Sequence, residues 1–172
     1  MKDVQDQVQQ LHEALNMFRA IAVVNKDDWE TAAKRLNLDS AVQLNILWIV
    51  YCYEGVRVTQ IADWTFWHPS SVVIHVRKMM EKELLTIEKS DTDGRVVNVF
   101  LTEAGKKLIE DSRIQALDDF HFTKALESFR KKYGENVVNL FFECLIHLAE
   151  ELHGEEKIRW IKEGEERARQ IS

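Results

Sequence analysis

One proline, six glycines and two cysteines in 172 residues leave this chain few means of breaking, turning or stapling itself. A sandwich or barrel of short strands needs frequent turn residues, so their scarcity excludes that class and favours long helices joined by tight connections. Cys52 and Cys144 supply neither a disulfide framework nor the paired spacing of a zinc site. No apolar run approaches the ~18 residues of a membrane span. The start, Met1-Lys2-Asp3-Val4-Gln5-Asp6, is polar and amphipathic where a signal peptide would be apolar, so a reduced, cytoplasmic protein is expected. A basic excess is missing too: 23 Lys and Arg face 29 Asp and Glu, a formal net charge of −6. Coating nucleic acid by charge alone is thereby excluded, and any binding of that kind must rest on local charge.

Signatures of catalysis are also wanting. There is no phosphate-cradling glycine loop, no nucleophile elbow and no paired-carboxylate constellation, so neither an enzymatic activity nor a cofactor is expected. The composition is 45% hydrophobic, which is ordinary for a folded domain.

Periodicity organises what is present. Val4, Val8, Leu11, Leu15, Phe18, Ala22, Asn25, Trp29, Ala32 and Leu36 recur at alternating steps of four and three. That heptad seam predicts one long helix with an apolar stripe, which needs a partner in the C-terminal part of the chain or in a second subunit. After Leu38, Asp39 or Ser40 is placed to cap a helix with Leu44, Leu47, Trp48 and Tyr51 on its apolar face, ending near Gly55. Val56-Arg57-Val58 reads as extended. Thr59 is expected to cap a brief helix through Ile61, Ala62 and Trp64, ending around Thr65-Phe66. His68-Pro69 then opens another that runs to about Glu83, since proline suits the first helical position.

Within this second short helix Val72, Val76 and Met79 face inward with His75 beside them, leaving Ser70, Ser71, Val73, Ile74 and Arg77 outward. From Trp64 to Met80 no acidic residue occurs, while Arg77 and Lys78 do. Leu84 to Ser90 and Val96 to Leu101 then read as two strands joined by Asp91-Thr92-Asp93-Gly94-Arg95, a hairpin with an arginine in its tip. Thr102-Glu103-Ala104-Gly105 starts a further helix carrying Leu108, Ile109, Ala116, Leu117 and Phe120. Another is expected from about Glu135 to Leu152, and the charged tail from Gly154 reads as helical, anchored by Ile158 and Ile161.

Helix, turn, helix and hairpin in that order define a winged helix-turn-helix, which lays one helix in the major groove of DNA with its wing alongside. The fold class expected is therefore mainly α with a small β-hairpin: an N-terminal dimerisation helix over 1–38, a winged helix-turn-helix over 39–105 and C-terminal dimerisation helices over 106–172. Outward Val73 and Ile74 could meet thymine methyl groups or, equally, a neighbouring helix.

The run Asp93-Gly94-Arg95-Val96-Val97-Asn98-Val99-Phe100-Leu101-Thr102-Glu103-Ala104-Gly105 resembles the wing signature of the MarR family of bacterial transcriptional regulators. Upstream, Thr59-Gln60-Ile61-Ala62 and Ser70-Ser71-Val72 match the family's short helix and the start of its recognition helix. Details around Leu47-Trp48-Ile49 and His68 are similar to its Hpr-like subgroup. Glu83 departs from the family's pattern, standing where a glycine usually ends the recognition helix. The resemblance implies a homodimer, built by interlocking terminal helices, that represses transcription from a pseudo-palindromic operator in double-stranded DNA. By position, Arg95 resembles the wing arginine of the minor groove and Asp93 its support. Ser70, Ser71, Val73, Ile74, Arg77 and Lys78 fall on the reading helix, and Thr59 and Gln60 at the phosphate-contacting helix start.

Blander readings stand beside these. Glu143, His147 and Glu151 lie four apart and could in principle hold a metal, yet a solvated charged face is the reading adopted. Cys52 and Cys144 read as buried structural thiols rather than oxidant sensors. Trp48, Trp64, Phe66 and Trp67 read as core packing rather than an effector cleft, and no effector can be named. The rival function is a dimeric protein-interaction adaptor that kept this fold and lost DNA binding. Its motive is the balance of six basic and six acidic residues from Arg57 to Arg95. An adaptor should show a continuous apolar patch where a DNA binder clusters Arg77, Lys78 and Arg95.

Overall fold

The computed structural model describes residues 2–89 and 96–171, and their side chains except those of 2–3, 114–119 and 165. The heptad seam becomes a single helix, α1 (Lys2–Arg35), followed by α2 (Ala41–Cys52). A short strand β1 (Val56–Arg57) leads into α3 (Val58–Thr65) and α4 (Pro69–Glu81). Strands β2 (Leu85–Lys89) and β3 (Val97–Leu101) precede four helices: α5 (Glu103–Asp119), α6 (His121–Tyr133), α7 (Glu135–His153) and α8 (Glu155–Gln170). The antiparallel sheet has the order β1-β3-β2, with Leu85 opposite Leu101 and Val56 opposite Val99.

Helix α2 is apolar on nearly every side and is accordingly the centre of the head. Its Leu44, Ile46, Leu47, Ile49 and Val50 pack with Ile61 of α3, with Val72, Val76 and Met79 of α4, with Val99 of β3 and with Ile109 of α5. The hydroxyl of Ser40 makes no cap bond to α2. Gln43 serves instead, its Oε1 accepting from the Asp39 N–H at 2.8 Å.

Three helices end alike. At Asn37, Phe66 and Glu83 φ is 57°, 59° and 57°, and in each case the next residue's N–H returns to a carbonyl five residues back. This is the Schellman closure, in which the left-handed residue favours glycine. Glutamate 83 thus adopts the conformation a glycine would take, at a cost of about 1–2 kcal/mol, and α4 stops two residues before it.

Two expectations need correcting. Phe120 does not continue a helix from 103. It is an extended hinge, φ −77° and ψ 125°, after which α6 begins. The cause is remote in sequence: Asp28 of α1 accepts the Phe122 N–H at 2.9 Å and lies 2.7 Å from Nδ1 of His121, supplying the new helix with its cap. Cys144 is exposed rather than buried, whereas Cys52 is half-buried among aromatic neighbours.

The amino-terminal half of α1 projects from the head. Val4, Val8, Leu11 and Leu15 are each about 60% exposed, and Phe18 and Ile21 remain exposed beyond them. On α7, Leu140, Leu148 and Leu152 are uncovered as well.

Candidate nucleic-acid interface

Residues 57–81 build the helix-turn-helix. Helix α3 starts at Val58, one residue before the expected cap Thr59, because Gln60 Oε1 accepts the Arg57 N–H at 3.2 Å and fixes Arg57 as the preceding residue. Thr59 and Gln60 are both exposed in the first turn. Left-handed Phe66 closes α3 and turns the chain toward His68, whose Nδ1 accepts the Ser70 N–H at 3.3 Å while Ser70 Oγ lies 2.7 Å from the same nitrogen. With Pro69 at the first helical position, both residues start α4 as expected.

Helix α4 is divided sharply. Val72, Val76 and Met79 are 0–4% exposed, whereas Val73 and Ile74 are 42% and 55% exposed. Ser70 and Arg77 share that outer side, and Ser71 is half-buried at its edge. Lys78 is exposed but tied: its Nζ lies 3.4 Å from Asp39, which also accepts from Lys82 at 2.6 Å. The bond from Lys82 holds the Asp39 carboxyl below the usual carboxylate range. His75 is half-buried beside this cluster, with an Nδ1 that has no hydrogen-bond partner among the described residues. Burial, and then Lys78, push its pKa down.

Between α4, the start of α3 and the sheet runs a cleft of about 450 Å³, lined by Val58, Val73, Met80, Ile87 and Val97 and rimmed by Arg57 and Arg77. Strands β2 and β3 form the stem of the wing. Asp93 and Arg95, the tip residues singled out from the sequence, lie outside the described residues.

The wing's exit is a compact joint. Thr102 caps α5, its Oγ1 accepting the Gly105 N–H at 3.1 Å and donating to the Glu83 carbonyl at 2.6 Å, while its own N–H donates to the Leu84 carbonyl at 3.1 Å. A Cβ on Gly105 would stand 2.2 Å from that Leu84 oxygen. The Leu-Thr-Glu-Ala-Gly run therefore joins the end of the reading helix to the next arm, and its glycine is required by space.

The other residues considered fall as follows. Trp48 helps line a cavity of about 300 Å³ with Trp29, Leu44 and Phe120, while Trp64 and Trp67 pack against the core and Phe66 is 54% exposed. Burial pushes the Cys52 thiol up, and Arg113 and Arg167 only partly oppose it. Glu143, His147 and Glu151 are exposed, and among the described residues no three metal-binding side chains converge. No helix is long and apolar enough to cross a membrane among the described residues.

A helical head of this order, with a sheet-borne wing and long flanking helices, is a winged helix-turn-helix. Residues 40–97 match the model of the MarR family. The chain is 27% identical over 156 residues to the HTH-type transcriptional regulator Hpr of Halalkalibacterium halodurans, covering 80% of each chain. It is 30% identical over 132 residues to the regulator of the same name from Bacillus pumilus, covering 66% of this chain and 64% of that one. Among solved structures, a MarR family transcription regulator superposes with a TM-score of 0.70 at 14% identity, covering 86% of this chain and 93% of that one. The S. aureus MepR–DNA complex gives 0.65 at 19%, covering 79% and 96%. Residues 40–97 thus match the MarR family of winged-helix transcription regulators, and the chain is similar over most of its length to members named Hpr.

Proposed function

We propose that this protein is a cytoplasmic, sequence-specific regulator that binds double-stranded DNA as a homodimer and represses transcription from a pseudo-palindromic operator. The observation that carries the reading is the outer face of α4. Ser70, Val73, Ile74 and Arg77 are left uncovered by a helix whose inner face is wholly packed. Such a face offers hydroxyls and a guanidinium for base edges and phosphates, and branched carbons for thymine methyl groups. Ser71 and Lys78 border it. Thr59 and Gln60 are placed at a helix start suited to phosphate. Arg95, with Asp93 steadying the loop, is assigned to the adjacent minor groove.

Dimerisation is supported by α1. A solitary helix exposing Val4, Val8, Leu11 and Leu15 along one seam would neither hold its shape nor stay soluble, and a second copy would cover the seam. The two heads would then meet successive major grooves about 34–36 Å apart. The role is that of a binding surface, with no catalytic step.

The adaptor reading draws on the apolar cleft beside α4. Selection of bound duplexes from fragmented genomic DNA, followed by footprinting over a salt series, separates the two. A protected two-fold-related site bound at least ~10³-fold more tightly than random duplex is expected, whereas equal, weak binding to every duplex would refute the regulator and leave the adaptor.

A further inference from the structure

Helix α3 has eight residues, too few to be stable alone. It buries only Ile61 and Ala62 in the head's own core. Its opposite side is held by α8, at the far end of the chain. Trp160 stacks on Trp64 with ring centroids 5.7 Å apart and planes 7° from parallel. Tyr53, at the end of α2, packs against Trp64 at 4.8 Å and donates its hydroxyl to the Trp160 carbonyl at 2.7 Å. Burial, reinforced by Glu163, pushes the Tyr53 pKa up to about 12, so the hydroxyl remains a donor. Arg167 lies over the Tyr53 ring at 4.6 Å, and Gly164 is buried beside that ring.

The contacts extend to the turn itself. Lys157 pairs with Asp63 at 3.1 Å and sits 4.5 Å above Phe66, the left-handed residue between α3 and α4. His153 packs against the same ring at 4.5 Å. Helix α8 is tied back to α7 by Lys162 and Glu150, 2.5 Å apart, and α7 to α6 by Phe141 and Phe129. Aromatic and charged contacts thus link α6, α7 and α8 in series to the turn between α3 and α4.

We infer that α8 is a positioning element: gripping Trp64 and Phe66 from behind, it sets the angle at which α4 is presented relative to the dimer arm, and Trp160 is its principal positioning residue. The inference rests on the proposed binding of a dimer to two half-sites. Its consequence is specific. Loosening α8 should widen the range of head orientations and so relax the preference for one half-site separation, an effect that lost packing alone does not produce.

The test uses the full chain with Trp160→Ala, the conservative Trp160→Phe, and Lys157→Ala, which removes a half-buried tether outside the hydrophobic core. Affinity is measured by fluorescence anisotropy on the selected operator and on duplexes with the half-sites one or two base pairs closer or farther apart. Sedimentation gives the oligomeric state and thermal melting the folded fraction. Trp160→Ala should bind the best spacing about 10-fold more weakly while losing less than about 3-fold on the others, with Trp160→Phe close to the parent and Lys157→Ala shifted 2- to 3-fold in the same direction. A uniform loss at all spacings, or no loss, overturns the inference. Should Trp160→Ala not fold, the Lys157→Ala profile decides. If the parent binds no duplex, the functional reading fails separately, and hydrogen exchange of the amides of Phe66, Trp67, His68, Ser70 and Ser71 still decides: faster exchange in Lys157→Ala supports the grip, unchanged exchange refutes it.

Discussion

Replacing Gly105 by alanine sets two physical effects against each other. The residue lies in the first turn of α5 with an ordinary helical backbone, where alanine is favoured over glycine by about 1 kcal/mol. Space opposes this. The added Cβ would sit 2.2 Å from the Leu84 carbonyl oxygen and 3.0 Å from Leu101 Cδ2. The leucine methyl can turn aside, but the carbonyl cannot, because it accepts the Thr102 N–H at 3.1 Å and belongs to the chain leaving α4. Relief requires α5 to move away by about 1 Å, which strains neighbouring core contacts at about 1–3 kcal/mol. It also leaves the Leu84 carbonyl and Thr102 amide poorly paired, at about 1–3 kcal/mol more. Net destabilisation should be roughly 1–5 kcal/mol, lowering the melting temperature by roughly 2–20 °C for a chain of this size. Differential scanning calorimetry or circular dichroism of Gly105→Ala reads this directly. An unchanged or higher melting temperature would show that the joint accommodates a side chain and that the glycine of the Leu-Thr-Glu-Ala-Gly run is not required by space.

Further outcomes follow from the same geometry. Glu83→Gly relieves a left-handed glutamate at φ 57° and should stabilise the protein by about 0.5–1 kcal/mol in urea unfolding, since glycine's gain in the fold is partly offset by its freer unfolded chain; destabilisation would disprove the strain. Burial raises the Asp28 pKa, but hydrogen bonds from Phe122 and His121 more than reverse this and leave it below 3.8. A carboxyl lowered on folding stabilises above its unfolded pKa and loses that contribution as pH falls through the folded value, so the stability gap between parent and Asp28→Asn should be constant above about pH 5 and close in acid; a gap that widens in acid would contradict the assignment. Leu11→Glu with Leu15→Glu should convert the dimer to a monomer in sedimentation without altering the head, and a persistent dimer would show that α1 is not the seam. Arg77→Ala should weaken operator binding and reduce the slope of log K against log salt by about 2 for a dimer, about 1 for each head; an unchanged slope would mean that this guanidinium meets no phosphate.

The parts of the fold that were legible are those where the cause lies within a few residues. Val72, Val76 and Met79 at steps of four and three announced the inner face of α4, and His68-Pro69 its start. The heptad seam announced α1, and the alternation of Val97, Val99 and Leu101 the strand that pairs with β2. What was missed depends on distant partners. Helix α6 starts where it does because Asp28, 94 residues earlier, accepts the Phe122 amide, and no local pattern carries that information. Thr59 appeared to be the natural cap of α3, but Gln60 reaches back to Arg57 and moves the boundary. Phe66 and Glu83 occupy conformations their own propensities disfavour, because Schellman bonds and the packing of the following residue outweigh about 1–2 kcal/mol of strain.

The acidity of the chain also becomes intelligible at this scale. A formal charge of −6 would repel DNA if spread evenly, yet the outer side of α4 carries a single carboxylate, the exposed Glu81 at its last position, one turn beyond Arg77. Asp39, just before α2, is engaged by Lys78 and Lys82. Those lysines hold the end of the reading helix to the start of α2, so part of the local positive charge fixes geometry before any partner arrives. What is left outward on α4 is one guanidinium with the Glu81 carboxylate a turn beyond it, hydroxyls and two branched apolar side chains. Such a surface gains modest affinity from charge and must gain more from fit, so the orientation of the head counts for more than it would on a strongly basic one. A reading face with one outward cation therefore has reason to be braced from both ends, through the Thr102 joint at the carboxyl end of α4 and through α8 behind the turn at its amino end.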